Sequence, residues 1–495
     1  MSGATLESYD IVIIGSGPAG QKAAIQGAKL NRRVLVVEQE SQVGGACVHS
    51  GTIPSKTLRE TAASLTGFSR RSGNVYQVRA SGDLQVASLM TRLEQVVKAH
   101  ERYIGEQLAR NRIDHWHGRA RFLSPREIEV LSVDGRKRRV TARFIAIATG
   151  SRPRAPADVP IDHENVVDSD SILSMTYLPQ SLTVLGAGVI ASEYASIFAA
   201  LGVRVTMIDK GERPLAFLDA ELTDRFLGDF IAHGGRYLGQ QRVASVSWDG
   251  LCEVVATLAD GSLVRSEKLL CALGRVANLE GLNIGAAGLQ PNDRGLLSVN
   301  EHCQTAVPHI YAIGDVIGPP SLASSSMEQG RRAICHALGQ SVGSAPETIP
   351  VGIYTIPEIS TVGLTEAQAV ARLGAAMVGR ARFTELARAQ IAACQDGLLK
   401  MVADPAGQRL LGVQIIGEQA AELIHVGQMA LLMGMEIDGF VDNIFNFPTL
   451  AEAYRVAALD IAEQRGKRLA WIASPVAGNQ HVDQGAARAV GPLDR

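Results

Sequence analysis

The chain is 495 residues long, 46% hydrophobic, 20% charged and only 5% aromatic, the profile of a globular protein of about three domains with several buried cores. Its formal net charge is -2, and no basic tract exceeds Arg136-Lys137-Arg138-Arg139, which argues against nucleic acid or an anionic membrane as a partner. The six cysteines stand singly at 47, 252, 271, 303, 335 and 394, with neither a C-x-x-C nor a Cys/His cluster. That spacing argues against a zinc or other metal site and against a secreted disulfide scaffold. The polar stretch before Tyr9 has no signal-peptide regions, and no apolar run reaches the ~18 residues of a membrane span, so the sequence reads as cytosolic.

The first element is a strand and turn, Tyr9-Asp10-Ile11-Val12-Ile13-Ile14-Gly15-Ser16-Gly17-Pro18-Ala19-Gly20, and it has an internal copy in Leu182-Thr183-Val184-Leu185-Gly186-Ala187-Gly188-Val189-Ile190-Ala191. Each copy runs from an apolar strand through G-x-G-x-x-[G/A] into an Ala-rich helix. A second strand follows, ending on an acid 23 residues past the first glycine, Glu38 in one case and Asp209 in the other. Dinucleotide binding requires this spacing. Gly15 and Gly186 make the tight turn, Gly17 and Gly188 admit the pyrophosphate, and Gly20 and Ala191 let helix pack on strand. The helix N-terminus offers unpaired N–H groups to phosphate, and the acid accepts from an adenosine ribose. The fold class predicted is therefore α/β, with two Rossmann-like dinucleotide-binding domains.

Next comes Gly44-Gly45-Ala46-Cys47-Val48-His49-Ser50-Gly51-Thr52-Ile53-Pro54-Ser55-Lys56, which contains one sulfur. The stripe Leu89, Leu93, Val96, Val97, Ile104 and Leu108 predicts a long amphipathic helix whose apolar face serves core or interface. Phe144 to Gly150, Leu269 to Arg275 and His309 to Asp315 each read as a strand delivering a glycine or an acid to a loop. From about Pro350 the texture changes to strands such as Leu398 to Val402 and Leu410 to Ile416 with amphipathic helices, a third, α+β domain. Ser474 to Arg495 has no periodicity and reads as a solvated tail.

In this order the elements resemble the flavin-dependent pyridine nucleotide-disulfide oxidoreductase family over roughly residues 9 to 470. The resemblance rests also on Asp168 to Met175, Gly314-Asp315-Val316-Ile317-Gly318, Ile353 to Glu358, and Phe447 to Tyr454. It implies an FAD-binding domain in two parts, 1–160 and 281–348, an NAD(P)-binding domain over 161–280, and a dimerisation domain over 349–470 that makes a homodimer or a higher homo-oligomer, which leaves 471–495 as the flexible tail. Glu38 would then sit on the adenosine ribose of FAD and Asp315 on the ribityl chain, with Lys56 and Glu193 a flavin-side ion pair serving catalysis. Gly45, Cys47, Thr52, Thr149, Gly150, Gly274 and Lys210 are the remaining positions expected to line the cofactors.

Two positions depart from the family pattern. Five residues after Cys47, where the family carries its flavin-side cysteine, stands Thr52, which can form neither a disulfide nor a thiolate. Where lipoamide dehydrogenase and its relatives carry His-Pro-Thr before a glutamate, this chain has Phe447 before Glu452, with nothing to shuttle protons near neutral pH. A flavin without a dithiol needs another acceptor, and a second nicotinamide is the economical one. The expected activity is hydride exchange between NADPH and NAD+ in ping-pong fashion; a diaphorase or quinone reductase is the alternative, and a structural flavoprotein subunit a third. Cys47 reads as a packing residue, and His49 and His425 carry no assigned role. Asp209 favours NAD and opposes the 2′-phosphate of NADP(H), which Lys210 and Arg213 are placed to offset.

Overall fold

A computed structural model describes residues 6–72, 86–344 and 347–472; the tail and the side chain of Leu89 lie outside the described residues. Two compact units emerge. One comprises the chain up to Thr361 together with Ile416–Glu422, and the other Val362–Ile415 and the chain from Leu423 onward.

In the first unit the repeat in sequence is a repeat in structure. Leu6–Ile14 pairs in parallel with Val34–Glu38 on one side and Lys137–Ile147 on the other, and Asp114–His117 extends the sheet beyond Val34–Glu38. Ile310–Ala312, far along the chain, adds in parallel beside the C-terminal end of Lys137–Ile147. The antiparallel strands Glu127–Leu131 and Arg119–Ser124 attach to the N-terminal end of that long strand. The second sheet is parallel throughout, in the order Arg236–Leu238, Arg204–Ile208, Ser181–Leu185, Lys268–Cys271, Val166–Asp168. A three-stranded antiparallel sheet, Val243–Trp248, Val254–Leu258 and Leu263–Ser266, joins its core.

The central parallel strands of both sheets are covered on both faces, which is why they read as unbroken apolar runs. Val12, Ile14, Leu35 and Val37 enter one core while Ile11, Ile13, Val34 and Val36 enter another, the alternation of a two-residue period. The second sheet divides likewise, Leu182, Val184, Val205 and Met207 against Leu185 and Ile208. Helix Pro18–Lys29 packs on helix Ala323–Ala337 so closely that a Cβ on Gly330 would meet the Ala19 carbonyl oxygen at 2.2 Å. The predicted long helix spans Val86–Arg110, with Ile104 and Leu108 buried and Val96 37% exposed.

The second unit carries strands Leu410–Ile416, Leu398–Ala403 and Met377–Arg382 in that order, the last two antiparallel. Helix Glu452–Ile472 lies on Met377–Arg382, and only glycine fits at 379, where a Cβ would stand 1.9 Å from the Ala457 carbonyl oxygen. Buried Tyr454 donates its hydroxyl hydrogen to the Leu423 carbonyl at 2.7 Å and accepts from the Gly427 N–H at 3.1 Å.

Candidate functional site: two dinucleotide cradles and a lysine–glutamate pair

Each cradle is built by the same local geometry. Gly15 and Gly186 both have φ of +105°, a region that disfavours side chains, and a Cβ on either would strike the carbonyl oxygen of Ala148 or Ala272 at 2.3 or 2.7 Å. Gly17 and Gly188 cap helices Pro18–Lys29 and Val189–Ala200 with extended backbone and no side-chain bond to the cap, and a Cβ at either would meet nothing within 4 Å. The cap positions therefore leave room beside the first turn of each helix, where unpaired N–H groups can receive a pyrophosphate. The copies differ at the third position. A Cβ on Gly20 would stand 2.0 Å from the Gly15 carbonyl oxygen, whereas Ala191 is fully buried with its methyl accommodated.

Glu38 is buried, and its Oε2 accepts from the Ser16 N–H at 2.8 Å and the Ser16 hydroxyl at 2.6 Å. That locks the acid to the first glycine turn, and the Ser16 hydroxyl accepts in turn from the Gly44 N–H at 3.0 Å. Gly45, at φ +63°, lies against Gly17, and a Cβ there would stand 2.9 Å from the Gly17 Cα. In the second cradle Asp209 Oδ1 caps its own turn through the Gly211 N–H at 2.6 Å, Lys210 is exposed, and the Arg213 guanidinium lies 3.4 Å from Asp224.

Between the cradles, Asp315 accepts the Ser151 hydroxyl at 2.6 Å, while Arg275 donates to the Ser151 hydroxyl and carbonyl, both at 2.8 Å. Asn278 donates to the Thr149 carbonyl at 3.0 Å, next to the open glycine turns at 150 and 274. Neither Ser151 nor Arg275 was singled out from sequence; the only local signal was that Arg275 follows Gly274. Among the described residues, Thr149 Oγ1 is the one buried side-chain polar atom without a partner. A buried hydroxyl left unpaired costs roughly 1–3 kcal/mol, so its position at the mouth of the first cradle fits a polar ligand. With the empty glycine turns and the anchored acid, it makes these residues suited to an adenine dinucleotide.

Lys56 stands near the start of helix Thr52–Ser72, and Glu193 on helix Val189–Ala200. The two helices meet through Leu58 and Ala62 against Tyr194, Ala195 and Phe198. Lys56 Nζ then lies 2.6 Å from Glu193 Oε2, with 26% of the lysine side chain exposed and 5% of the glutamate. Glu193 Oε1 accepts the Tyr354 N–H at 2.9 Å, and the Tyr354 ring lies 4.9 Å from the ammonium. A cleft of about 270 Å³ opens beside the pair, lined by Lys56, Arg59, Tyr354, Glu358 and Glu422 among others. Burial pushes the Cys47 thiol up from its ordinary range, against the hydrogen-bonded Thr52 hydroxyl and the charge of Lys56. His49 Nε2 is taken up by the Val43 carbonyl at 2.9 Å, and His425 Nδ1 by Gln428 at 2.9 Å. Among the described residues there is no cluster of metal-ligating side chains and no helix long and apolar enough to cross a membrane.

A glycine-turned cradle repeated on two parallel sheets, followed by an α+β unit, defines the pyridine nucleotide-disulphide oxidoreductases, and the chain belongs to that family. The family profile matches residues 9–330, and that of its dimerisation domain residues 349–458. A soluble pyridine nucleotide transhydrogenase of Mycobacterium bovis is 43% identical over 457 residues, covering 92% of this chain and 97% of the relative. One of Hahella chejuensis is 42% identical, covering 91% and 98%. Among solved structures, LpdA of Mycobacterium tuberculosis superimposes with a TM-score of 0.84 at 27% identity, covering 92% and 99%. The HOCl-induced flavoprotein disulfide reductase RclA of Escherichia coli gives 0.82 at 27%, covering 91% and 99%. The chain is thus an enzyme of the NAD(P)H-linked flavin oxidoreductases and carries a dimerisation domain.

Proposed function

We propose that this enzyme transfers hydride between NADPH and NAD+ as a soluble NAD(P)+ transhydrogenase, by a ping-pong cycle on bound FAD and without a redox-active disulfide. The observation that carries the reading is Thr52 beside Cys47, a hydroxyl where a dithiol centre needs its second sulfur. Phe447, 74% exposed, agrees, since it replaces a base with a hydrocarbon. The names of the curated relatives point the same way.

FAD, when bound, supplies a two-electron carrier between one nicotinamide and the next. The residues of the chain hold and orient. In this reading Gly15, Gly17 and Gly20 cradle the pyrophosphate of FAD, Glu38 the adenosine ribose, and Asp315, fixed by Ser151, the ribityl chain, with Thr149, Gly150, Gly45, Cys47 and Thr52 lining the ring. Gly186, Gly188, Asp209, Lys210 and Gly274 receive NAD(H) and NADP(H) in turn. Lys56 presents a positive charge on the ring side, and Glu193 lowers the cost of keeping it there. The domain limits given from sequence, 1–160 with 281–348, 161–280 and 349–470, are retained as part of the proposal. The exposed apolar residues Met429, Leu432, Met433, Ile444 and Phe447 of the second unit suit a homodimer contact, and the cytosol is the expected location.

The test is spectroscopic. The purified protein should be yellow, NADPH should bleach it anaerobically, and thio-NAD should restore the colour faster than lipoamide or a quinone. Dominant turnover with the quinone would support the diaphorase alternative, which the acid at 209 favours by opposing NADP(H).

A further inference from the structure

The second cradle must accept a nucleotide with a 2′-phosphate while presenting Asp209 to its ribose, and the surrounding residues suggest how the balance is set. The segment after Asp209 is fixed. Gly211 is held by its N–H to Asp209 at 2.6 Å, and its carbonyl accepts from the Tyr237 hydroxyl at 2.9 Å and the Gln240 N–H at 3.0 Å. Leu215, buried at φ +52°, ties the far end of the segment to the glycine turn through its N–H to the Ala187 carbonyl at 2.9 Å. A branched residue in the left-handed region persists only where the surroundings impose it, so Arg213 projects from a loop anchored at both ends. Its guanidinium lies 3.4 Å from Asp224 on helix Ala220–Ala232, with side chains 40% and 55% exposed.

Resting on the nicotinamide-nucleotide reading of this cradle, we infer that Asp224 is a specificity-determining, positioning residue: by holding Arg213 it opposes the 2′-phosphate and biases the site towards the unphosphorylated nucleotide. The effect is one of competition: the Asp224 carboxylate neutralises Arg213, the charge that would otherwise be free to meet the phosphate. Lys210, exposed and without an ion pair among the described residues, is left as the cation always available. Because the Arg213–Asp224 pair is solvent-exposed it is readily exchanged, so the phosphate competes for Arg213 rather than being shut out.

The test measures calorimetric binding of adenosine 2′,5′-bisphosphate and of 5′-ADP to the full-length protein, which requires no turnover. Asp224→Asn should tighten the bisphosphate by roughly twofold to fivefold, the scale of one exposed ion pair released, leave 5′-ADP unchanged, and lose the gain in high salt. Asp224→Glu should restore the parent value. In the background of Arg213→Ala, Asp224→Asn should do much less, because the effect passes through the arginine. In turnover the change should lie in KM for NADPH and not in kcat. Unchanged bisphosphate affinity in Asp224→Asn, with both probes still binding, overturns this inference alone. Failure of the parent protein to bind either probe overturns the reading of the cradle and the inference with it.

Discussion

Lys56 Nζ meets Glu193 Oε2 at 2.6 Å across 137 residues of chain, joining the helix that follows the Cys47 loop to the helix of the second glycine cradle. The pair is asymmetric, since Glu193 is almost wholly buried and Lys56 reaches solvent.

That asymmetry predicts unequal mutants. Lys56→Met strands a buried carboxylate with the Tyr354 N–H as its remaining donor among the described residues, and should cost about 3 kcal/mol; Glu193→Gln keeps the amide contact and leaves a lysine able to hydrate, and should cost about 1 kcal/mol. Urea unfolding reads both. Stopped-flow mixing with NADPH should show slower flavin reduction in each, on the order of tenfold or more.

Thr149 offers a test of the cofactor fit that separates stability from binding. Its hydroxyl is buried and unpartnered, so Thr149→Val should stabilise the flavin-free protein by about 1 kcal/mol, while FAD binds about tenfold more weakly. Chemical denaturation of the apoprotein and fluorescence titration with FAD measure the two. A stability loss without a change in FAD affinity would contradict the assignment.

The two cradles should respond differently at their third position. Gly20→Ala forces a Cβ to 2.0 Å from the Gly15 carbonyl oxygen and should open the first turn and abolish FAD retention. Ala191→Gly only loosens a helix, costing about 1 kcal/mol, and should leave FAD in place. Flavin content after purification and the thermal midpoint distinguish them.

These turns could be read from the sequence because the constraint is local. A positive φ, a close helix–strand approach and an acid at a strand end all fall within thirty residues, and Gly15, Gly17, Glu38 and their counterparts stand where that geometry requires. The Thr52 substitution is equally visible. What was not legible depends on tertiary placement: the Tyr354 amide on Glu193, Arg275 bracing Ser151 under Asp315, the orphaned Thr149 hydroxyl, and Asp224 holding Arg213. The Lys56–Glu193 pair came from resemblance alone, since a lysine early in a helix carries no mark of a partner 137 residues away.

Cys47 should behave as a slow thiol. Burial raises its pKa above the ordinary value, so the thiolate fraction is small at pH 7 to 8 and grows only as pH climbs past the usual cysteine range of about 8.5. Alkylation by iodoacetamide should therefore modify exposed Cys252 first, with Cys47 reacting measurably only in alkaline solution. Mass spectrometry of peptides across a pH series follows it. In Thr52→Cys the new thiol lies next to Cys47, and mild oxidation should remove two titratable thiols, the introduced one and that of Cys47, where the parent protein loses none.

The electron count of the resting enzyme tests the central claim most directly. In an anaerobic dithionite titration, a flavin working without a sulfur relay takes up two electron equivalents per FAD, whereas a flavin with a dithiol–disulfide couple takes four. The account predicts full bleaching at two, with no long-wavelength band on the way. Uptake of four would show a reducible disulfide partner and contradict it.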